Sequence, residues 1–377
     1  MIPILIIGLS LAIFTFSYLF VDHGLYSVIT NSHSLFDAYK PIFTFAHENR
    51  VSLAQVYIVI ILLMFLVQAL LLFTDLKKIS AKYLFIIAGV ATFILSISYP
   101  FISHDFFAYI FYARMVVFHH LNPYIVPPQE LINVDYWITF IHNIEIRYPY
   151  GPLFLLYTMV PQIILSSNRL LLNLFTLKIM GGVVFFLAGL ILYRLLGKDK
   201  KVFSLWYFNP LFMVESLVNG HNDILMIGTF FTALYLLSLK KYLSAWVVLI
   251  ASILIKFITV GAIPLMIVSE RWKTLVFRIL GLGVFIYIST TAIAVHAWYF
   301  TWPYLFVPFM KLKRISLLGV YIIGILLLIN YYPFVKSRLY GEALPIPNIN
   351  LYIEILLAII VLIETNVLEI ILKKIKL

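Results

Sequence analysis

The side chains best suited to chemistry gather in residues 103–152, a polar stretch between long apolar segments. Asp105 follows the pair Tyr99-Pro100, which would end or bend the apolar segment before it. A carboxylate at the edge of an apolar segment is partly desolvated and suits a general base. The alternative is a helix cap, since Ser103 and Asp105 both favour a helix N-terminus.

A second polar group, residues 219–223, reads Asn-Gly-His-Asn-Asp and joins two apolar segments. This link is short for an ordinary solvent loop, so His221 and Asp223 are candidates to bind hydroxyl groups or to orient Asp105. The alternative is turn chemistry, an Asn-Gly turn followed by a capping aspartate. Glu215 lies one helical turn earlier, and its charge within an apolar segment is costly, so it is a candidate for the same site.

Several cations are placed where they could neutralise a phosphate group. Arginine binds phosphate through two parallel hydrogen bonds, whereas Lys256, at a predicted hairpin tip, would act as a point charge. The alternative for each cation is anchoring to lipid phosphates, which is favoured for Lys336 and Arg338. The candidates are Arg114, Arg147, Lys256, Lys336 and Arg338.

The polar stretch also contains candidate metal ligands. They lack the helical HxxxH and HExxH spacings that are typical of zinc sites. We therefore expect no required cofactor, with a bound divalent metal as the alternative. These candidates are His104, His119, His120, His142 and Glu145.

The composition is that of a membrane protein. Of 377 residues, 63% are hydrophobic and 11% are charged, whereas soluble proteins carry about 25% charged residues. Apolar segments of about 17–25 residues recur along the chain, so we predict an all-α, polytopic protein forming one membrane-embedded unit. Residues 2–20 lack a basic start and a cleavage site, which predicts a retained helix rather than a signal peptide. The absence of cysteine excludes disulfides and thiolate chemistry.

We predict about twelve membrane spans from the apolar segments. A loop from residue 21 to about residue 52 is expected to hold Asp22 and Asp37. Residues 152–166 are short and contain Pro161, so we expect a broken segment lying along or partway into the membrane. The other predicted segments are 2–20, 53–73, 83–101, 170–193, 202–218, 224–239, 242–255, 258–268, a span ending near 295, 315–334 and 351–371.

The net charge of +11 is distributed in a way that orients the chain. If the amino terminus is cytoplasmic, the basic clusters at 77–82, 194–201, 240–241, 271–278, 311–314 and 373–376 all lie inside, as the positive-inside rule requires. All nine histidines then lie outside. This arrangement favours lipid contacts over nucleic acid and predicts two cytoplasmic termini with an extracytoplasmic active site.

The order of the motifs resembles a known superfamily. After Asp105 come Tyr109 and Arg114, Asn122-Pro123-Tyr124, the run Tyr148-Pro149-Tyr150-Gly151-Pro152, residues 219–223, Lys256-Phe257 and Trp298-Tyr299 with Trp302-Pro303. Over about residues 80 to 310 this order is similar to that of the GT-C glycosyltransferases. It is most similar to the branch of polyprenol-phosphate-mannose-dependent α-mannosyltransferases.

The resemblance implies transfer of a hexose, mannose above all, from a polyprenyl-phosphate donor to an acceptor glycan or lipid on the outer face, with inversion. Asp105 would be the catalytic base. The implied substrate-binding residues are His104, Tyr109, Arg114, Asn122, Tyr124, Arg147, Tyr148, Tyr150, Asn219, His221, Asn222, Asp223, Lys256, Trp298 and Trp302.

The resemblance has one departure that leaves a choice of base open. Many members of the superfamily carry the acidic residue after their first span, whereas Asp105 follows the third predicted span. We therefore interpret 1–80 as an added helix pair, 81–310 as the core with catalytic loop 102–152, and 311–377 as carboxy-terminal helices. Otherwise Asp22 or Asp37 is the base.

Two other classes of function remain as alternatives, a transporter or lipid flippase and a non-enzymatic envelope-polymer assembly protein. Transporters commonly show repeated halves and charges near the midplane of the membrane. The sequence shows no repeat, and its polar residues cluster at one predicted side.

Overall fold

The computed structural model describes residues 2–20, 25–26, 33–291, 296–337 and 349–365. Within these ranges the chain is built from helices and turns, without β-strands, which confirms the predicted all-α class. The α-helices are α1 Ile2–Leu19, α2 His33–Glu48, α3 Arg50–Phe73, α4 Ala81–Ser96, α5 Asp105–Val117, α6 Pro152–Leu165, α7 Leu170–Leu195, α8 Lys200–Tyr207, α9 Pro210–Met213, α10 Asp223–Ser238, α11 Tyr242–Ile255, α12 Pro264–Ile267, α13 Glu270–Thr291, α14 Arg314–Ile329, α15 Tyr332–Ser337 and α16 Ile349–Glu364.

Among the described residues, four helical segments are long and apolar enough to cross a membrane: α1, α3, α7 and the segment Arg314–Ser337 that contains α14 and α15. Shorter apolar helices are α4, α6, α10, α11 and the segment Phe257–Ile267. The chain is therefore a membrane protein by the length and composition of its helices. The count of twelve spans stays a prediction.

The predicted loop between residues 21 and 52 is wrong over much of its length. Residues His33–Glu48 form α2 and α3 begins at Arg50. Charged residues at several positions concealed α2, because an amphipathic helix carries such residues on its exposed face. Asp37 is exposed on this helix, whereas Asp22 lies outside the described residues.

The helix α6 is continuous, so the predicted break at Pro161 is also wrong. A proline removes one backbone hydrogen bond, and packing can offset that loss. The next residue, Gln162, is buried and donates its Nε2 to the Ile110 carbonyl of α5 at 2.6 Å. The helix ends instead at Ser166, whose φ of 45° is left-handed.

The predicted segment 202–218 is in fact three elements. The helix α8 ends at Tyr207, and Asn209 caps α9 by accepting a hydrogen bond from Phe212 N at 3.2 Å. Pro210 occupies the first position of α9, where its missing N–H costs nothing. The chain then continues as a π-helical turn, Val214–Val218.

Two further predicted segments are interrupted. Residues 258–268 form the 3₁₀ helix Phe257–Ala262 and then α12. The segment 315–334 is divided between α14 and α15. The aromatic region after residue 296 forms the 3₁₀ turns Ala297–Thr301, Pro303–Leu305 and Val307–Phe309. Prolines at the starts of several of these pieces explain the interruptions.

The site residues are held by the central part of this bundle. The helix α7 packs on α4, α6 and α10, and α10 packs on α11. The helix α5 packs on α6 and α7. Because these contacts surround α7, the amino end of α5, the π-helical turn and the amino end of α10 are brought to one place.

Candidate active site

Asp105 is the first residue of α5 and has an accessible carboxylate. Its backbone N–H donates to the Ser103 hydroxyl at 3.3 Å, and His104 is the N-cap residue of this helix, without a side-chain cap hydrogen bond. Its side chain is 41% exposed, and Oδ2 lies 3.9 Å from Nδ1 of His221, which is only 2% exposed. The carboxylate is thus placed with one side toward solvent and the other toward a buried histidine.

His221 is paired with a second carboxylate below it. Its Nε2 lies 3.2 Å from Oε2 of Glu215, a fully buried residue of the π-helical turn. The same Oε2 accepts a hydrogen bond from Asn219 Nδ2 at 3.0 Å. Burial alone would lower the pKa of His221, but the Glu215 carboxylate, with help from Asp105 and Asp223, raises it above its usual value.

Gly220 fixes the distance between this turn and α5. Its φ of +74° is in the left-handed region that favours glycine. A Cβ atom at this position would lie 2.4 Å from Cδ2 of Phe106, the residue next to Asp105. The turn therefore reaches Asp105 because residue 220 has no side chain.

A second buried polar group surrounds Asp223, the first residue of α10. Its Oδ1 accepts hydrogen bonds from Lys256 Nζ at 2.7 Å and from Trp302 Nε1 at 2.6 Å. Lys256 also donates to Asn222 Oδ1 at 3.2 Å and lies 5.1 Å from the centre of the Trp302 ring. Four residues from three separate chain segments thus form one hydrogen-bonded cluster.

Aromatic rings enclose these charges. Trp298 stacks on His221 with ring centres 5.0 Å apart, and His296 stacks on the same tryptophan at 4.2 Å. Tyr109 meets Tyr150 edge to face at 5.1 Å. Both tyrosines lie within electrostatic range of Asp105 and of Asp223, which places the two carboxylates in one site.

The run from Tyr148 to Pro152 is anchored close to Lys256. Gly151 N–H donates to the Ile255 carbonyl at 3.2 Å, and a Cβ at Gly151 would lie 2.0 Å from the Leu254 carbonyl oxygen. This close approach to the end of α11 requires a glycine. The loop thereby places the Tyr150 ring beside α5 and the end of α11.

Arg114 has a different environment from the one expected for a phosphate ligand. Its Nε pairs with the Asp135 carboxylate, and its guanidinium lies over the Phe118 and Trp137 rings at 4.7 and 4.2 Å. His119 Nε2 contacts the same carboxylate at 2.6 Å. Arg114 lies nine residues after Asp105 on α5, about 13 Å along the helix axis.

The comparisons with known proteins give one family. Residues 16–270 match the family model described as the alpha-(1->6)-mannopyranosyltransferase N-terminal domain. The chain belongs to this family. The protein is accordingly an alpha-mannosyltransferase, and the expected GT-C-like mannosyltransferase character is confirmed. No curated protein and no solved structure matches the chain significantly.

The remaining predicted substrate residues of this mannosyltransferase lie in the polar stretch, residues 103–152. His104 pairs its ring nitrogen with that of His142, and the two rings stack at 4.4 Å. Asn122 closes a turn by accepting from Tyr124 N at 3.0 Å, and the Tyr124 hydroxyl donates to the Tyr150 carbonyl at 3.0 Å. Arg147 is exposed.

The structure also places the residues of the alternative predictions. Among the described residues, no three His, Cys, Asp or Glu side chains form a group that could hold a metal ion. Lys336 is exposed on α15. Arg338 lies outside the described residues. The division of the mannosyltransferase at residues 80 and 310 stays a prediction, and the family match includes residues 16–80 as well.

Two acidic residues have contacts that the sequence did not reveal. Asp135, the partner of Arg114, was missed because a contact across 21 residues of loop has no local signal. Glu215 had a usable signal, since it is an acidic residue in an apolar segment one turn before residues 219–223. Its burial and its contact with His221 required the structure.

Proposed function

We propose that the protein transfers mannose from a polyprenyl-phosphate donor to a hydroxyl group of an acceptor glycan or glycolipid at the outer membrane face, with Asp105 as the base. One observation carries this proposal. The Asp105 carboxylate is 41% exposed, beside a histidine that is 2% exposed. An acceptor that arrives from solvent can reach this carboxylate, whereas Glu215 and Asp223 are 0% and 1% exposed.

The reaction needs one proton acceptor. Asp105 takes the proton of the acceptor hydroxyl as its oxygen forms the bond to the anomeric carbon. The bond from that carbon to the phosphate oxygen breaks, and the polyprenyl phosphate leaves with the electron pair. Attack from the side opposite to the phosphate inverts the anomeric configuration.

The leaving phosphate needs a cation, and Lys256 is the best placed. Its ammonium group has three N–H donors, of which Asp223 and Asn222 accept two. The third can meet a phosphate oxygen. Developing negative charge is stabilised strongly by a cation that is already oriented. Asp223 and the Trp302 ring provide this orientation.

Buried polar atoms next to this cation support binding of a hydroxyl-rich ligand. Within the described part of the chain, Asn219 Oδ1, Asn222 Nδ2 and Asp223 Oδ2 are buried without a hydrogen-bond partner. Such groups normally find partners in folded proteins. Sugar hydroxyls provide both donors and acceptors, but these atoms are buried, so a donor mannose pairs with them only if the side chains that cover them move.

The test compares purified wild type and Asp105→Asn in nanodiscs supplied with polyprenyl-phosphate mannose and a panel of glycan and glycolipid acceptors. We expect the variant to lose about 10²-fold or more of the turnover, because a general base contributes about that much. Binding of the donor should persist. The control is Asp37→Asn, which removes an exposed aspartate of α2 and is expected to leave turnover unchanged.

Three results would overturn the proposal. Equal turnover by wild type and Asp105→Asn would remove Asp105 from the role of base, and loss in Asp37→Asn would give that role to Asp37. An inactive wild type with every polyprenyl-phosphate sugar and every acceptor would reject this class of donor.

A further inference from the structure

We propose that Glu215 is a positioning residue that holds His221 as a fixed imidazolium beside Asp105, so that the carboxylate of the base stays correctly aimed. This inference rests on the proposed role of Asp105. It adds a buried carboxylate that does not itself meet the substrate. The three side chains form a line in which His221 lies between Asp105 and Glu215.

The environment of Glu215 requires a positive partner. Its side chain is fully buried, and a buried carboxylate is very costly unless it is paired and hydrogen-bonded. Among the described residues, His221 forms the ion pair with Glu215, and Asn219 donates a hydrogen bond to Glu215. The nearby Lys178 instead donates to the Leu217 and Val218 carbonyls at 2.7 and 2.6 Å.

The backbone reinforces the same pair. Glu215 lies in a π-helical turn, an element that is frequent at functional sites. Its own carbonyl accepts a hydrogen bond from His221 N–H at 3.0 Å. Glu215 therefore contacts His221 through both its main chain and its side chain. Trp298 stacking on one face of the imidazole limits rotation of the ring.

The protonation state of His221 follows from its two nitrogens. Nδ1 faces the Asp105 carboxylate at 3.9 Å, and Nε2 faces the Glu215 carboxylate at 3.2 Å. Both contacts are ion-pair distances without hydrogen-bond geometry. The imidazolium carries a positive charge, so it is the form that suits a ring placed between two carboxylates. A neutral ring would leave one carboxylate facing a lone pair.

The other charged groups around His221 do not outweigh the two carboxylates that favour the imidazolium. Asp223, at the start of α10, adds a negative charge that favours the imidazolium. Burial lowers the pKa of His296, which stacks on the far side of Trp298, so this ring adds little positive charge at neutral pH. Lys178, on α7, donates to the Leu217 and Val218 backbone carbonyls. Lys256 is paired with Asp223.

The experiment measures the pH dependence of turnover for Glu215→Gln, which keeps the shape of the side chain and removes its charge. Without the charge His221 loses its proton at a lower pH, and Asp105 then loses the imidazolium that aims it. We expect the alkaline limb of turnover to move down by about one pH unit, so that turnover within that limb falls about tenfold. Glu215→Asp keeps the charge and should preserve the position of the limb.

The matched control is Glu364→Gln. Glu364 is another buried carboxylate in an ion pair, with Arg278 at 2.8 Å, and it lies on α16. Its loss should leave the alkaline limb in place even if the protein becomes less stable. If the limb shifts equally in Glu364→Gln and in Glu215→Gln, general destabilisation explains the effect of Glu215→Gln and the inference is wrong.

The second readout is the ¹⁵N NMR spectrum of histidine-labelled protein in nanodiscs, which does not depend on activity. The His221 signal is identified as the one that is missing from the spectrum of His221→Asn. We expect the imidazolium at pH 7 in wild type and the neutral ring in Glu215→Gln. A neutral His221 in wild type, or an unchanged His221 titration in Glu215→Gln, would refute the inference. An inactive wild type would refute the proposed function, and the histidine titration would still decide this inference.

Discussion

At the scale of single residues, the site contains three carboxylates that differ in their surroundings. Glu215 and Asp223 are buried and have cationic partners, His221 and Lys256. Asp105 is partly exposed and has only a distant contact of 3.9 Å with His221. Carboxylates in such different environments are suited to different tasks. The exposed one can exchange a proton with a substrate, and the buried ones hold cations in place.

Gly220→Ala should strongly reduce activity. The new methyl group would lie 2.4 Å from the Phe106 ring, and the φ of +74° disfavours any residue with a Cβ. Relief of this overlap moves His221 away from Asp105, so we expect turnover to fall at least tenfold, as small displacements at a site cost about that much or more. The measurement is turnover in nanodiscs at saturating donor.

Gly197→Ala is the matched control for this prediction. Gly197 also has a positive φ, of +61°, but a Cβ there meets nothing within 4 Å. It should lose about 1–2 kcal/mol of stability and keep its turnover. If both alanine variants lose the same activity, backbone strain alone explains the effect and the contact with Phe106 is unimportant.

The residue scale also shows what the sequence could predict. Asp105 and residues 219–223 carry local signals, since each follows an apolar segment and has turn or cap chemistry. Their closeness could not be derived, because it depends on how α5 and α10 pack around α7. The expectation for Arg114 rested on its charge and on its place in the motif order. A side chain 21 residues away, Asp135, decides its surroundings.

At the scale of elements, the polar loop between α5 and α6 is held by one buried ion pair. Arg114 at the end of α5 and Asp135 in the loop are 9% and 3% exposed in their side chains. Asp135 also accepts the Trp137 N–H at 3.0 Å, capping the short 3₁₀ helix Tyr136–Phe140. The loop thus has its own small core, separate from the site at the start of α5.

Arg114→Gln should loosen this loop. Removing one partner of a buried ion pair costs about 3–5 kcal/mol, because the other charge stays buried. We expect faster limited proteolysis within residues 120–147 and a lower melting temperature. Arg147→Gln, which changes an exposed arginine of the same loop, should alter neither quantity. Equal proteolysis of wild type and Arg114→Gln would show that the pair contributes little.

The same pair predicts the acid sensitivity of the loop. Burial opposes ionisation of Asp135, but hydrogen bonds from His119, Trp137 N–H and Arg114 outweigh it and lower its pKa. The stabilisation is therefore complete above the usual aspartate pKa of about 4 and is lost as the pH falls through the lowered value. The proteolysis rate of wild type should stay constant down to about pH 4 and then rise.

Element boundaries show where sequence reasoning succeeds and fails. The long apolar helices α1, α3 and α7 were predicted within a few residues, because a uniformly apolar segment of that length in a membrane forms a helix. The break between α8 and α9 had a signal, Asn209-Pro210, that hydrophobicity concealed. The π-helical turn had none, since one extra residue in a helical turn follows from packing rather than from composition.

At the scale of the whole molecule, the distribution of charge predicts the orientation of the mannosyltransferase. Basic residues cluster at one predicted side, whereas Asp105 and all nine histidines lie at the other. The chain has no cysteine, so single introduced cysteines report accessibility without background.

We predict that Glu145→Cys reacts with a membrane-impermeant maleimide in intact cells, whereas Lys78→Cys reacts only after permeabilisation. Both positions are exposed in the structure. Glu145 lies in the polar loop, and Lys78 ends the short 3₁₀ helix Leu76–Lys78 after α3. Labelling of Lys78→Cys alone in intact cells would invert the predicted topology and move the site to the cytoplasmic face.

The lysine of α7 has a consequence for how this chain enters the membrane. Lys178 is stabilised by the Leu217 and Val218 carbonyls, which are synthesised 39 and 40 residues later. During synthesis α7 must therefore insert with an unsatisfied lysine amino group, at a cost of up to about 2.5–3.5 kcal/mol, the value for a lysine at a helix centre. Most residues of α7 are apolar, and each lowers the insertion free energy by about 0.3–0.6 kcal/mol. The long apolar α7 thus carries its lysine into the bilayer first and gives the later π-helical turn a place to dock.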